Sequence, residues 1–164
     1  MKRKLWLAFF VVPVLAFGLV SDVSAGGGDG EKGNQVQNFT AVLRGVNEVP
    51  PIPMSELMGT ARITINTTTS VLCWELKYTT TKPVTAAHIH RGAAGVGGGV
   101  VFGFFNPPTS AVPVKKGCRS GAPALLADIA AHPGAFYANV HTTAHPGGAA
   151  RGQLTTNSDD LGSE

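Results

Sequence analysis

The chain is 164 residues long and carries a formal charge of +3, with only 14% charged residues but 21 glycines and 11 prolines. A chain of this length accommodates one ordinary domain. The low charge and the many turn-forming residues exclude a coiled coil, a helical bundle and a charge-rich disordered protein, and they favour short strands joined by turns.

The N-terminus has the three parts of a secretory signal peptide. Basic residues at positions 2–4 precede an apolar run over residues 5–20, and the small residues Ser24 and Ala25 follow it. We predict cleavage after Ala25, so that residues 1–25 form the signal peptide and the mature chain has no membrane span; an uncleaved anchor is the alternative. Cleavage removes three of the 13 basic and one of the 10 acidic residues. The nearly neutral mature chain then lacks the basic field that nucleic-acid binding requires.

The rest of the chain divides into a linker, a globular part and a tail. Residues 26–38 are rich in glycine and predict a flexible linker, and residues 155–164 predict a polar, acidic tail. Between them, residues 39–154 contain seven segments with strand signals. These are residues 39–44, 58–66, 71–80, 84–90, 100–105, 136–141 and 150–155. Residues 123–132 begin with a proline suited to a first helical turn and predict one short helix.

Alternation of apolar and polar residues predicts the face that each strand buries. Ile63 and Ile65 share one face of their strand, and Trp74 and Leu76 share one face of the next. Strands of this kind with one short helix predict an all-β, antiparallel sandwich or small barrel. The core residues that we predict are Phe39, Ile63, Ile65, Trp74, Leu76, Ile89, Val101, Val140 and Leu154.

The chain has two cysteines, Cys73 and Cys118. In an oxidising compartment a single pair is most simply a disulfide, while a catalytic or metal-binding pair is the alternative. Closing a loop of this length stabilises a fold by roughly 3–4 kcal/mol on the chain-entropy model. Two N-x-T sequons, at Asn38 and Asn66, are glycosylation sites in a host that glycosylates.

Histidines mark the strongest candidate site. His88 and His90 are two residues apart on a predicted strand, so their imidazoles share a face and Ile89 lies on the other. The same alternation places His141 opposite Val140. If these strands pair, the three histidines form one outward-facing patch that is able to hold copper or zinc. The alternative is that they serve as hydrogen-bonding or partner-contacting side chains; His132, at a predicted helix end, is assigned a structural role.

Other polar features favour structural roles. The glycine-rich segment 91–99 lacks the Lys-Ser/Thr ending and following helix of a phosphate-binding loop, so it is interpreted as a flexible connection. Glu48, Glu56 and Glu75 are scattered, and Glu48 is expected to fix a loop. Arg151 lies between glycines and is interpreted as an anchor for a turn or for an anion.

Four ordered segments resemble the CHRD domain, a family named from chordin and widespread in exported microbial proteins. They are residues 39–51, 86–95, 137–142 and 146–154. The resemblance implies an immunoglobulin-like β-barrel distantly similar to copper–zinc superoxide dismutase, and a family role that is undefined. Cys73 and Cys118 are similar to the cysteine pair of many bacterial members.

The distant likeness to those dismutases bears on the metal site. His88-Ile89-His90 is similar to their copper-binding strand, and Arg151 to their substrate-guiding arginine. No histidine lies between Arg91 and Ala131, so their zinc loop and bridging histidine have no counterpart here. A copper site would use His88, His90 and His141, with His145 as a weaker candidate.

Two functional hypotheses follow from the sequence. The first is an exported, non-enzymatic module, at the cell surface, in the periplasm or outside the cell, that binds an unidentified extracellular protein or a component of the cell envelope. The second is a copper-binding protein, with superoxide dismutation as its enzymatic version. Metal analysis of the purified protein distinguishes the two.

Overall fold

The structure is a computed structural model and describes residues 35–105 and 114–157. The predicted signal peptide, the linker up to residue 34 and the tail from residue 158 lie outside the described residues. Within these residues, no helix has the length and apolar character needed to cross a membrane.

Strands dominate the described part of the chain. In chain order, the strands and the α-helix are β1 (Val36–Arg44), β2 (Met58–Asn66), β3 (Val71–Thr79), β4 (Val84–Arg91), β5 (Val100–Phe105), β6 (Val114–Ser120), α1 (Pro123–Ala131), β7 (Phe136–Thr142), β8 (Ala150–Gln153) and β9 (Thr155–Thr156). Two single-turn 3-10 helices, Gly45–Asn47 and Pro133–Ala135, follow β1 and α1.

All the strands join one antiparallel sheet in the order β5-β4-β7-β8-β1-β2-β3-β6, with β9 paired to β1. The sheet curls until its two outer strands meet through side chains. Arg119 on β6 donates a hydrogen bond to the carbonyl oxygen of Gly103 on β5 at 3.1 Å. Trp74 stacks on Phe104 with ring centroids 5.2 Å apart. The sheet is therefore a nearly closed barrel, which confirms the all-β, antiparallel architecture with one short helix.

The barrel interior holds the apolar face that alternation predicts. Eight of the nine predicted core residues are buried, and the exception is Val101, which is only partly buried. On β5, Phe102 and Phe104 face the barrel interior instead. The prediction for β5 was wrong by one residue because the segment is apolar on both faces, which leaves the alternation ambiguous.

Strand β6 was not predicted from the sequence. Its residues Val114–Ser120 read VKKGCRS, which lacks an apolar alternation. Antiparallel pairing with β3 places Cys73 directly opposite Cys118, with their Cα atoms 4.0 Å apart, and the two form a disulfide. The predicted disulfide is therefore confirmed, and the second cysteine was the one signal in the sequence for this strand.

Helix α1 and the ends of the domain differ only slightly from expectation. The helix begins at Pro123 and buries Leu126 and Ile129. Strand β1 begins at Val36, inside the segment predicted as linker. The last predicted strand is divided in two at Leu154, whose side chain is buried and whose N–H donates to the carbonyl oxygen of Phe136.

Candidate metal centre

Strands β4 and β7 are neighbours in the sheet and supply all three candidate ligands. Their antiparallel register pairs Ala86 with His141 and His88 with Asn139. Ile89 and Val140 are fully buried in the barrel interior. Because side chains alternate along a strand, His88, His90 and His141 all project from the opposite side of the sheet.

The three imidazoles form one cluster. One ring nitrogen of each of His88, His90 and His141 lies within 4.8 Å of those of the other two. The Nδ1 atom of His88 is 3.2 Å from Nε2 of His141, and the ring centroids are 5.0–6.0 Å apart. The structure therefore brings together nitrogen ligands close enough to share one ion.

Two of the rings have their protons fixed by backbone carbonyl groups. Nδ1 of His90 lies 2.9 Å from the carbonyl oxygen of Gly98, and Nδ1 of His141 lies 2.9 Å from that of Pro146. A carbonyl oxygen only accepts, so each Nδ1 carries the proton and each neutral ring has an unprotonated Nε2. The Nε2 atom of His90 is buried and has no hydrogen-bond partner among the described residues. A metal ion would satisfy this atom, so the residues present fit a metal site.

Burial also keeps two of the rings neutral. It lowers the pKa of His90 and of His141 below the ordinary value, and repulsion from the neighbouring imidazoles acts in the same direction. The hydrogen bonds to Gly98 and Pro146 oppose this lowering only in part. Both rings are therefore neutral at pH 7, which is the form that binds metals.

The outer face of β4 and β7 is covered rather than open to solvent. His90 and His141 are only 8% and 9% exposed, although they point away from the barrel interior. Tyr137, on the same face of β7, stacks on His90 with ring centroids 5.0 Å apart. Its hydroxyl accepts a hydrogen bond from the N–H of Gly98 at 3.1 Å. The alternation along β7 contained this signal, because it places Tyr137 on the same face as His141.

The glycine-rich loop between β4 and β5 has a defined role that the sequence did not indicate. Its Gly98 carbonyl fixes His90, as described above, and its Val96 carbonyl accepts a hydrogen bond from Arg151 at 2.8 Å. The N–H of Gly92 donates to the carbonyl oxygen of Ala135. The interpretation of this loop as a merely flexible connection was therefore incomplete: it covers and orients the histidine cluster.

Arg151 has the contacts of a turn anchor. Its side chain is only 3% exposed, its Nε donates to the carbonyl oxygen of Asn47, and its Nη1 donates to that of Val96. The guanidinium carbon lies 4.4 Å from the centre of the Tyr137 ring. One arginine therefore ties two loops to the aromatic ring that supports His90.

Glu48 is the buried acid beside this arginine. It is 7% exposed, and burial raises its pKa to about 7, although Arg151 and a hydrogen bond with Asn139 lower it in part. Its Oε1 atom has no hydrogen-bond partner among the described residues. The sequence suggested that Glu48 fixes a loop, but nothing in the sequence indicated its burial.

His145 lies outside the three-histidine cluster. Its Nδ1 is 3.0 Å from Oε2 of Glu56, whose Oε1 accepts a hydrogen bond from the Thr142 hydroxyl at 2.7 Å. Burial acts to raise the pKa of Glu56, but the hydrogen bond from Thr142 and the nearby His145 give a net lowering. This contact joins the loop that follows β7 to the segment before β2. The same loop contains Pro146, whose carbonyl orients His141.

His132 is separate from the candidate site. It lies at the C-terminus of α1, where its Nδ1 is 2.9 Å from the carboxylate of Asp128. Its side chain is 69% exposed. These contacts agree with the structural role that its sequence position indicates.

Comparison with known proteins identifies the family of the domain. Residues 39–154 match the family model of the CHRD domain, which covers more than half of the chain. A search of the curated proteins found no match. CHRD membership supports a binding or structural module whose biochemical role is undefined. On the strength of this match, together with the barrel and the disulfide, the chain belongs to the CHRD domain family.

Proposed function

We propose that this domain is an exported binding module whose ligand is one copper ion, held by His88, His90 and His141. The observation that carries the proposal is the cluster itself, with three ring nitrogens within 4.8 Å of one another. Backbone carbonyls orient two of the rings, which is the usual support for histidine ligands in metal sites. The third ring, His88, is half-buried and lies nearest to solvent.

The donor set favours copper, with zinc as the competing ion. Neutral imidazoles suit both metals, but Cu²⁺ binds a given nitrogen site more tightly than Zn²⁺ does. The two cysteines are joined in a disulfide and do not offer a thiolate. We therefore expect a site made of imidazoles alone, with Cu²⁺ bound more tightly than Zn²⁺.

Export of the protein is part of the proposal. The Cys73–Cys118 disulfide fits an oxidising compartment, and residues 1–25 have the composition of a signal peptide. Outside the cytoplasm, the domain would act at the cell surface, in the periplasm or in the medium. An extracellular protein or a component of the cell envelope is then its partner.

We propose binding rather than superoxide dismutation. The arginine similar to the substrate-guiding residue of the dismutases, Arg151, is buried and donates to two backbone carbonyls. The rings of Tyr137 and His90 are stacked beside it, with Tyr137 next to the guanidinium. Arg151 is therefore committed to supporting the loops. When bound, the metal would provide a positive charge and a site for an additional ligand at the cluster.

The test is a calorimetric titration of the purified protein with Cu²⁺ and then with Zn²⁺. We expect one Cu²⁺ per chain, and loss of this stoichiometric binding in His88→Ala and in His141→Ala. His132→Ala is the matched control, because this exposed histidine lies outside the cluster, and it should bind as the unmodified protein does. Nitrogen couplings in the electron paramagnetic resonance spectrum would identify imidazole ligands. Stoichiometric copper that survives in His141→Ala, or no binding at all, contradicts the proposal.

A further inference from the structure

A second candidate site lies on the outer surface of β1, β2 and β3, away from the histidine cluster. A groove of about 860 Å³ is bounded by these strands and by the segment after β1. Its walls include Val42, Val46, Leu57 and Met58. The volume falls in the range of pockets that hold small organic ligands, and such pockets are mostly apolar.

Three of the groove's apolar side chains are exposed. Of the eight large hydrophobic residues that the described part of the chain exposes, Val42, Val46 and Met58 line the groove, with exposures of 52%, 51% and 63%. Exposed apolar side chains grouped in a groove mark a binding site more often than scattered single residues do.

Strand register places a cation at two opposite corners of the groove. One outward row runs across the three strands as Val42, Thr60 and Lys77, and the next row runs as Arg44, Met58 and Thr79. Arg44 and Lys77 therefore flank the apolar side chains diagonally. The groove lining contains both cations and no aspartate or glutamate. Lys77 also forms a solvent-exposed ion pair of 3.6 Å with Glu75, and such pairs contribute little to stability.

We propose that this groove binds a free medium-chain fatty acid. The apolar walls would contact the aliphatic chain, and Arg44 or Lys77 would pair with the carboxylate. Charge complementarity favours this ligand, because the lining holds two cations and no carboxylate, and the Glu75 that pairs with Lys77 lies outside the lining. The groove shares no residue with the metal cluster, so the two sites are independent.

The test uses decanoate as the probe and follows backbone amide signals of the isotope-labelled protein by nuclear magnetic resonance. We expect shifts confined to residues around the groove. Octanoate, shorter by two methylene groups, should bind roughly tenfold more weakly. Decanol keeps the chain but lacks the charge, and butyrate keeps the charge but has a short chain, so both should bind more weakly than decanoate.

Variants separate the charge from the apolar surface. Lys77→Gln and Arg44→Gln should each weaken decanoate binding about fivefold and leave decanol binding unchanged. Lys82→Gln is the matched control, since this exposed lysine lies outside the groove, and it should have no effect. His88→Ala should bind decanoate normally. Thermal unfolding of every variant establishes that it is folded.

Three results would overturn the inference. Equal affinity for decanol and decanoate would show that the groove does not select an anion. Shifts of the same residues on raising the protein concentration without any ligand would show that the groove pairs two copies of the chain. Absence of shifts at millimolar decanoate would show that the groove holds no fatty acid.

Discussion

The position of a single proton on each imidazole decides what the cluster can bind. His141 carries its proton on Nδ1, where it donates to the carbonyl of Pro146, so its Nε2 accepts and the nearby Nδ1 of His88 donates. A cation at the cluster would take the place of that proton. Metal binding through Nδ1 of His88 therefore requires the proton of this ring to move to Nε2. The rings of His90 and His141 already have an unprotonated Nε2 that can bind the ion.

Glu48→Gln tests the buried acid at the same scale. The folded protein raises the pKa of Glu48 from 4.5 to about 7, so the folded carboxyl holds its proton to a higher pH than the unfolded one. The protein with Glu48 should therefore lose stability as the pH rises through this interval, and the glutamine variant should lack this loss. We expect the variant to gain about 2 kcal/mol in unfolding free energy, relative to the unmodified protein, between pH 5 and pH 8.

Chemical denaturation at the two pH values measures the gain. Glu75→Gln is the control, since this glutamate forms a solvent-exposed pair with Lys77. A stability difference between Glu48→Gln and the unmodified protein that is the same at pH 5 and pH 8 would show that Glu48 ionises normally in the folded state.

At the scale of elements, two strands supply the three imidazoles of the cluster and two loops supply the groups that orient two of them. The strands place three imidazoles on one face, and the loops after β4 and β7 supply the carbonyl groups of Gly98 and Pro146. Tyr137 and Arg151 hold the first loop, and the pair of Glu56 and His145 holds the second. Because these contacts connect segments that are distant in sequence, alternation along a single strand could not reveal them.

Gly98→Ala tests the loop after β4. A Cβ atom at this position would collide with the carbonyl oxygen of Arg91, so the loop must shift and the hydrogen bond to His90 is lost. Loss of such a supporting contact typically weakens metal binding 10- to 100-fold, and we expect a loss in this range for Cu²⁺. Gly97→Ala is the control, because open space surrounds its Cβ position. Equal copper affinities of the two variants, measured by competition with a chelator, would contradict the role of the loop.

At the scale of the whole molecule, the disulfide and the histidine cluster occupy different parts of the sheet. The disulfide joins β3 to β6 at one end of the strand order, and the cluster lies on β4 and β7 toward the other. The nearly closed barrel brings the outer strands β5 and β6 together through the contact between Arg119 and Gly103. The covalent bond therefore fixes β6, an outer strand with little apolar content, to the rest of the barrel.

Replacing both cysteines with alanine tests this division. The loop that the disulfide closes spans 45 positions, so its loss should lower the free energy of unfolding by roughly 3–4 kcal/mol. Copper affinity should be unchanged, because the ligand strands do not contain the cysteines. Urea unfolding and copper titration of the double variant measure the two quantities. An unchanged unfolding midpoint would show that pairing with β3 alone holds β6 in place.

The sequence predicted those features that depend on alternation along one strand. The inward faces of β2 and β3 and the shared face of His88 and His90 are examples. It did not predict β6, whose polar composition carries no alternation, or the burial of His90 and His141 on the outer face. That burial comes from the loops that fold back over the sheet, and the order of side chains along a strand contains no information about them.

The ligands are brought together by the pairing of strands that are distant along the chain. His88 and His141 are 53 positions apart, and the segment between them contains β5 and β6. In the unfolded chain, only His88 and His90 are close neighbours. The three imidazoles come together when β7 pairs with β4, so under the proposed export and copper binding the chain would cross the membrane without copper and acquire it on folding, and the ion would then add to the stability of the folded state.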